Sequence, residues 1–386
     1  MKRLAPLAFA AGLLAPLTAL AAPSPPAIDA RVAEAMAKTG ARGLAVAVIE
    51  DGRPVFVRAY GQRNAKGDPL TDRTVMYGAS LTKTVFAYTV MQLVDEKKVD
   101  LDRPVAAMLP QPLPSYASEE DIDRYSRWGD LAGDERWRAL TLRMSLTHST
   151  GFPNFWWDGP DQKLRIHFEP GRRYAYSGTG IMLGQFAIER GLELDLRAEM
   201  QRRVFDRFGM TDTDVMWRPA FAANLADGWD EKGAPQPHDE RSKTRAAGSM
   251  DTTIADMARF AAGLVRGEGL SPAARAEMLK RQLAITTPSQ FPSFGPEAPP
   301  AQRRPDLAAG LGVVVFDGPQ GHGFYKGGHD DITGNTMVCV ERGRRCVVLL
   351  ANDVRAEPAY PGLVRFLIGE TGAPWTWEYG AKAAGW

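Results

Sequence analysis

The sequence has almost no excess of charge of either sign. Its 386 residues include 47 Lys and Arg and 46 Asp and Glu, which gives a formal net charge of +1 with histidine neutral. Because nucleic-acid binding depends on concentrated positive charge, this balance gives no footprint for nucleic acid. A small molecule or a peptide is the expected partner.

Cysteine and histidine are both scarce, with two and five residues. The histidines are scattered and form no spaced set with the cysteines, so no ligand pattern for zinc or another transition metal is present. We therefore expect no metal and no organic cofactor.

The two cysteines, Cys339 and Cys346, flank a turn signal at 341–344 between two apolar runs. This pattern predicts that they face each other across a hairpin. A disulfide would form there in an oxidising compartment. Two reduced thiols in the core are the alternative, because pairing across a hairpin depends on its register.

Long apolar runs are absent except at the N-terminus, where residues 4–20 follow two basic residues and end at the small-x-small sequence 19–21. The pattern indicates a secretory signal peptide over residues 1–21 and a periplasmic or secreted protein, with no membrane span after cleavage. The run is short for a membrane anchor and contains two prolines. An uncleaved anchor is the alternative interpretation.

Strand patterns occur at both ends of the remaining chain, and helical patterns lie between them. The predicted strands are 43–49, 55–60, 311–316, 323–326, 335–340 and 346–350. The predicted helices are 27–38, 80–98, 256–265, 272–283 and a last one at 359–368. In the helix that begins at Ser80, the spacing of Phe86, Val90, Leu93 and Val94 predicts one buried stripe.

This order predicts an α/β (α+β) fold in which an antiparallel sheet, built from both ends of the chain, is flanked by N- and C-terminal helices and carries an inserted all-helical lobe. We expect one catalytic unit over residues 22–386, with the site between its two parts. The sheet domain would comprise about 27–98 and 306–371, the lobe about 99–285, and a proline-rich loop 286–305.

Ser80 and Lys83 stand where a predicted loop becomes a helix. Ser80 would lie in the first turn, where unpaired N–H groups and the helix dipole favour negative charge. Lys83 follows on the same face and could accept the serine proton if burial lowered its pKa. An N-cap serine followed by a solvated lysine is the alternative, but the apolar residues after Lys83 favour a buried amine.

Further segments occur in an order that resembles the serine β-lactamase and penicillin-binding-protein superfamily, in the branch around class C β-lactamases. That branch includes D,D-peptidases, D-aminopeptidases and β-lactamase-like carboxylesterases. The resemblance extends over about residues 27–368. The segments that carry it are Gly78-Ala-Ser-Leu-Thr-Lys83, Leu146-Thr-His-Ser-Thr-Gly-Phe-Pro153, Phe168-Glu-Pro-Gly171, Tyr174-Ala-Tyr-Ser-Gly178, Ala247-Gly-Ser-Met250, 254–260 and Lys326-Gly-Gly328.

The resemblance implies roles for several residues. Tyr176 would share the proton transfers of acylation and deacylation with Lys83, although a core aromatic is the alternative. Lys326 would orient the tyrosine and add positive potential. The backbone N–H groups of Ser80 and His329 would form an oxyanion hole, which stabilises the charge that develops in acyl transfer.

His148 invites a search for a Ser-His-Asp triad. In the family that this chain resembles, the corresponding histidine is structural. We therefore predict that His148 is not catalytic.

The chain departs from the family pattern at two positions that bear on substrate binding. The family's Tyr-x-Asn ends here in Gly178, so an amide that would hold an acylamino group is missing. Its Lys-Thr-Gly has Gly327 for threonine before Gly328, so a hydroxyl that would hold a substrate carboxylate is missing too.

Two acidic residues follow at the predicted pocket edge. Asp330 or Asp331, facing inward, would repel a carboxylate and favour a neutral or cationic substrate. Capping of the following turn by both aspartates is the alternative.

Aromatic residues are dense near the predicted site. They form either a hydrophobic wall for a bulky group, with Trp156 among the substrate-binding residues, or the ordinary packing of a long loop. They are Tyr116, Tyr125, Trp128, Trp137 and Phe155-Trp156-Trp157.

These observations predict an exported serine hydrolase that cleaves an ester or amide, including substrates with a D-residue or a free amine, through an acyl-enzyme on Ser80. A β-lactamase or D-Ala-D-Ala carboxypeptidase is the alternative within the same chemistry. A penicillin-binding sensor or scaffold without turnover is the alternative from another class.

Overall fold

A computed structural model describes residues 23–383. The predicted signal peptide at 1–21 lies outside these residues. Within them, no helix combines the length and the apolar character that crossing a bilayer requires.

Twelve strands and eleven α-helices are present in the described residues. The strands are β1 Gly43–Glu50, β2 Arg53–Gly61, β3 Met76–Tyr77, β4 Gly228–Trp229, β5 Pro235–Gln236, β6 Asp251–Thr252, β7 Leu283–Ala284, β8 Leu307–Ala309, β9 Val314–Gly318, β10 Gly321–His329, β11 Gly334–Val340 and β12 Arg345–Ala351. The helices are α1 Pro25–Thr39, α2 Thr82–Asp95, α3 Glu119–Arg124, α4 Leu142–Leu146, α5 Gly178–Gly191, α6 Leu196–Met200, α7 Asp206–Phe208, α8 Ile254–Arg266, α9 Pro272–Leu279, α10 Tyr360–Ile368 and α11 Trp375–Tyr379.

Eight of the strands form one antiparallel sheet in the order β2-β1-β12-β11-β10-β9-β8-β7. Strands from the two ends of the chain meet where β1 pairs with β12, with Ala45 opposite Leu350. Successive residues of β1 point to opposite faces of the sheet, and each face has its own hydrophobic core. Ala45 and Ala47 pack in one core, and Val46 and Val48 pack in the other. The sheet is therefore covered on both sides, which explains its continuous apolar runs.

Helices from the chain termini cover one face of the sheet, with α1, α10 and α11 packed in that core. On the other face lie α2 and α8, together with the core of the helical segments between them. The predicted fold class is thus confirmed. Helix α8 falls within the range predicted for the lobe, yet it packs directly on β1, β2 and β12.

Helix α2 is enclosed on all sides, and residues 82–93 are all buried. The predicted single stripe was therefore wrong, because the helix contacts both the sheet side and the lobe rather than solvent. A helix that is apolar all round belongs in the interior of a protein. One consequence is that Lys83 in its first turn has no route to water along a solvated face.

The C-terminal part differs from the prediction in two places. Strand β10 reaches His329, so the segment 326–328 lies within a central strand and not after one. Residues 359–368 are not the last helix, because α11 follows them and places Glu378 next to β10.

Cys339 and Cys346 face each other as register partners of β11 and β12 and form a disulfide. This resolves the question that the sequence left open, since the register brings the two residues opposite one another. Both side chains are fully buried.

We predict that replacing both cysteines, Cys339→Ala with Cys346→Ala, lowers the free energy of unfolding by about 2 kcal/mol, because the short closed loop no longer restricts the unfolded chain. Urea denaturation without reductant would measure the change. Wild type in excess reductant is the control and should lose a similar amount. Equal midpoints for the oxidised and double-variant proteins would contradict the prediction.

Candidate active site

Ser80 lies in a single 3₁₀ turn, Ala79–Leu81, immediately before α2. Ala79 has a φ of 46°, a left-handed conformation that residues other than glycine seldom adopt. The turn is held on both sides: Gly78 N–H donates to Met250 O at 2.8 Å, and Thr82 Oγ1 donates to Ala79 O at 2.5 Å. Strain at such a position is typical of functional sites.

The Ser80 hydroxyl contacts two predicted site residues. Lys83 Nζ lies 2.9 Å and Tyr176 Oη 2.7 Å from Ser80 Oγ, both within hydrogen-bonding distance. Lys83 Nζ also donates to Ala247 O. Three segments that are distant in sequence therefore meet around the Ser80 hydroxyl and the Lys83 amine.

The environment shifts the pKa values of these groups in opposite directions. Burial, reinforced by the charge of Lys326, holds the pKa of Lys83 well below its usual value. Burial raises the pKa of Tyr176 above its usual value, against the hydrogen bond with Ser80. The lysine is thus suited to accept a proton and the tyrosine to remain a neutral phenol.

Tyr176 is positioned by His148. The two rings stack with centroids 4.6 Å apart, and His148 Nδ1 accepts the backbone N–H of Ser177 at 3.1 Å. Burial holds the pKa of His148 well below its usual value, so the ring is neutral. His148 thus packs against Tyr176 and contacts the backbone next to it. These contacts are the ones expected of a structural histidine.

Lys326 contacts the face of Tyr176 and not its hydroxyl. Its Nζ lies 5.3 Å from the ring centroid and donates to Gly327 O. Burial lowers the pKa of Lys326 to about 8. Lys83 Nζ lies 5.0 Å from the centroid of the same ring, so both amines are next to the tyrosine.

The end of β10 runs directly beside the nucleophile turn. A Cβ built on Gly328 would lie 2.9 Å from Leu81 N and 3.1 Å from Ser80 N, closer than real side chains approach. Glycine is therefore required where the strand passes the turn. The side chain of His329 is directed elsewhere, with its Nδ1 2.9 Å from Glu357 Oε1.

At Gly178, the first residue of α5, a side chain from elsewhere occupies the space of the missing amide. A Cβ at this position would lie 3.1 Å from Asn154 Oδ1, which accepts the Gly178 N–H at 2.9 Å. Asn154 lines the cleft. The sequence analysis did not find it, because it precedes Gly178 by more than twenty residues.

At Gly327, too, a group from elsewhere in the chain occupies the space of the missing side chain. The space that a side chain at 327 would enter is taken by the carboxylate of Glu378 from α11. The sequence analysis did not find Glu378 either. Its position between two aromatic residues, Trp377 and Tyr379, was a sequence signal of a buried carboxylate.

The two aspartates after His329 are exposed at the edge of the cleft. Asp330 Oδ1 accepts the backbone N–H groups of Ile332 and Thr333, each at 2.9 Å. Asp330 thus caps the turn, as the alternative interpretation proposed. Asp331 lines the cleft without a contact of this kind in the described residues.

The cleft above Ser80 has a volume of about 690 Å³, within the range of small-molecule sites. Phe155 and Trp157 stack at 4.7 Å and are 39% and 43% exposed, and Trp156 lies beside them. Tyr125 also lines the cleft, whereas Trp128 and Trp137 are buried in the lobe. Phe291, from the proline-rich loop, packs on Tyr176 with centroids 5.2 Å apart.

Residues 23–383 contain no group of three or more His, Cys, Asp and Glu side chains that could hold a metal ion.

A comparison with protein families matches the β-lactamase family over residues 28–367, which is most of the chain. The chain belongs to the β-lactamase family. This confirms the resemblance inferred from the motifs, and it covers both the sheet strands and the segments that meet at Ser80.

Relatives within the β-lactamase family differ in their named activities. Esterase EstB of Burkholderia gladioli is 26% identical over 79% of this chain and 80% of its own length. The lovastatin esterase of Penicillium rubens is 27% identical over 50% and 54%, and a human β-lactamase-like protein is 25% identical over 62% and 49%. The chain spans about half the length of the last two.

Solved structures support the fold. A penicillin-binding protein homologue from Pyrococcus abyssi has a TM-score of 0.70 at 19% identity and covers 90% of this chain and 78% of its own. The D-alanine carboxypeptidase AmpC from Burkholderia cenocepacia has a TM-score of 0.67 at 19% identity and covers 89% and 97%. Both share the β-lactamase-type arrangement of sheet and helices.

We predict that Gly328→Ala reduces the reactivity of Ser80 on the order of 100-fold, because the new methyl group displaces the nucleophile turn from β10 and small displacements of reacting groups are costly. The rate of labelling by a fluorophosphonate, followed by intact-protein mass spectrometry, would measure it. Gly159→Ala is the control, since its Cβ would be 3.6 Å from the nearest atom, on Asp161. Equal labelling rates for the two variants would contradict the prediction.

Proposed function

We propose that this chain is an exported serine hydrolase that cleaves an ester or an amide through an acyl-enzyme on Ser80. The observation that carries the proposal is the contact of Ser80 Oγ with Lys83 Nζ at 2.9 Å and Tyr176 Oη at 2.7 Å, at the base of a cleft. A serine next to a buried amine and a phenol is an arrangement for nucleophilic catalysis.

In the proposed reaction, Ser80 Oγ attacks the substrate carbonyl and its proton passes to the neutral amine of Lys83. The tetrahedral oxyanion accepts hydrogen bonds from the backbone N–H groups of Ser80 and His329. Tyr176 Oη donates a proton to the leaving oxygen or nitrogen and recovers one from Lys83. The carbonyl-to-leaving-group bond breaks, and the acyl group remains on Ser80.

Deacylation follows the same path with water as the nucleophile. The water loses a proton to the Lys83 and Tyr176 pair and attacks the acyl carbon, and the proton returns to Ser80 Oγ as the ester bond breaks. In each of the two steps the pair first accepts a proton as a base and then donates one as an acid. The opposite pKa shifts of Lys83 and Tyr176 support this assignment, with the lysine as the first base.

Several observations favour an ester, or an amide outside a β-lactam ring, over a β-lactam as the substrate. The hydroxyl expected at 327 is absent, and a carboxylate, Glu378, lies in its place. Aromatic side chains of the segment 155–157 and of Phe291 line the cleft and would contact an apolar acyl or leaving group. Two of the relatives are named esterases.

Export is proposed on the N-terminal pattern of residues 1–21, which has the basic, apolar and small-residue regions of a secretory signal. The disulfide between Cys339 and Cys346 supports an oxidising compartment. A periplasmic or secreted location would satisfy both.

We predict that purified protein hydrolyses a short-chain 4-nitrophenyl ester with multiple turnovers, while Ser80→Ala has no activity above background. Ser242→Ala is the control, because this serine lines the cleft without being bonded to Lys83 or Tyr176. Product release would be followed by absorbance and the adducts by intact-protein mass spectrometry.

The same measurement with benzylpenicillin separates the alternatives. Rapid penicillin turnover in the absence of ester hydrolysis would overturn the proposal in favour of a β-lactamase. A stable penicilloyl adduct without turnover of either compound would identify a sensor.

We predict an alkaline decline in kcat/KM for an uncharged ester with an apparent pKa of about 8, because the Lys326 ammonium next to Tyr176 loses its charge above that pH. Lys326→Arg should move the decline to higher pH, since a guanidinium stays charged. Profiles from pH 6 to 10, corrected for background hydrolysis, would test this. If kcat/KM declined over the same pH range in both proteins, Lys326 would not be the titrating group.

A further inference from the structure

The wall of the cleft at Gly327 has an unusual composition. A Cβ built on Gly327 would overlap Glu378 Oε1 and would lie 2.7 Å from Tyr325 Oη. The volume in which a side chain at this position would place its own polar atom is therefore filled by a carboxylate from α11. The group that replaces the missing hydroxyl is a carboxyl group, which accepts hydrogen bonds and is negative when ionised.

Glu378 is buried but lines the cleft. It is 9% exposed, lies between Trp377 and Tyr379, and shares the cleft with Ser80 and Lys83. Burial raises the pKa of Glu378, whereas the charges of His329 and Lys326 oppose that rise. Within residues 23–383 its carboxylate forms no salt bridge, so no cation of the described chain occupies it.

Two other acids at the cleft are engaged differently. Asp330 caps a turn through its Oδ1. Asp239 lies 3.8 Å from the guanidinium of Arg241. Glu378 differs from both, because its carboxylate fills the space beside Gly327 and is hydrogen-bonded by a neutral side chain, that of Gln290.

The charge balance at the base of the cleft follows from these contacts. Burial and the charge of Lys326 hold the pKa of Lys83 well below its usual value. The positive charge of Lys326 is then opposed by Glu378, which acts on it electrostatically. A substrate carboxylate placed beside Gly327 would be repelled by the ionised Glu378, whereas a substrate ammonium would find an acceptor in a poorly solvated site, where charged hydrogen bonds are strong.

We propose that Glu378 is a specificity-determining residue whose carboxylate accepts a hydrogen bond from an ammonium group on the substrate and excludes substrates that carry a carboxylate at the same place. The inference rests on the proposed function, since it assigns the substrate class of that same site. The substrate is accordingly an amine-bearing ester or amide.

Three 4-nitrophenyl esters test the proposal, because they share a leaving group and a ring and carry a neutral, a cationic or an anionic para substituent: the 4-methylbenzoate, the 4-(aminomethyl)benzoate and the monoester of terephthalate. Wild type should prefer the amine-bearing ester to the neutral one by at least about 10-fold in kcat/KM. Glu378→Gln should lose that preference, mainly through KM. It should also raise hydrolysis of the carboxylate ester several-fold relative to the neutral ester.

Control variants separate recognition from folding. Glu378→Asp keeps the charge and should retain part of the preference. Glu370→Gln makes the same charge change at an exposed residue outside the cleft and should behave as wild type. Melting temperatures would show that each variant is folded. A change by one common factor for all three esters in Glu378→Gln would overturn the proposal, because a purely structural residue affects them equally.

Failure of this proposal can be distinguished from failure of the proposed function. Hydrolysis of the neutral ester that needs Ser80 but shows no charge preference would contradict only the role of Glu378. If no ester is hydrolysed, calorimetry still tests the role of Glu378. It would measure the binding of 4-methylbenzylamine and 4-methylbenzoate to wild type and to Glu378→Gln. The amine should bind wild type at least about 10-fold more tightly than it binds Glu378→Gln, and equal affinities would refute the proposal.

Discussion

The arrangement of the site depends on the burial of one amine. Lys83 lies in the first turn of a helix that is enclosed on all sides, so the charged form of its side chain has no solvent to stabilise it. The carbonyl of Ala247 and the hydroxyl of Ser80 are the polar groups that it contacts. The elements packed around α2 leave only about 2% of Lys83 exposed, and the reactivity proposed for Ser80 follows from that packing.

Much of the fold could be predicted because its sheet is buried on both faces. Strands such as β1 and β12 are continuous apolar runs, and the turn between β1 and β2 has Asp51 and Gly52 with φ of 48° and 70°, the conformation that this residue pair favours. The single stripe on α2 was wrong because periodicity describes one buried face, and this helix has no exposed one. Helix α11 was missed because five residues are too few to show a period.

The site was predictable where its residues lie in local motifs and not where packing supplies them. Ser80 and Lys83 are one helical turn apart, and Tyr176 and Lys326 each lie in a recognisable segment. Asn154 and Glu378 follow no motif: each enters the space left by a distant glycine, and only the course of the chain brings them there. Identifying the glycines showed which groups were missing, but the replacements depend on tertiary contacts.

Gly327 and Glu378 constrain each other although they are far apart in the chain. A side chain larger than hydrogen at 327 would collide with the carboxylate, and a shorter residue at 378 would leave the space beside Gly327 unfilled. A side chain at 327 therefore needs a shorter one at 378, and a lineage that fills this space from β10 must alter 378 before or together with 327. Libraries that seek new activities in this scaffold should accordingly randomise the two codons as a pair, since a scan of position 327 alone would record it as intolerant.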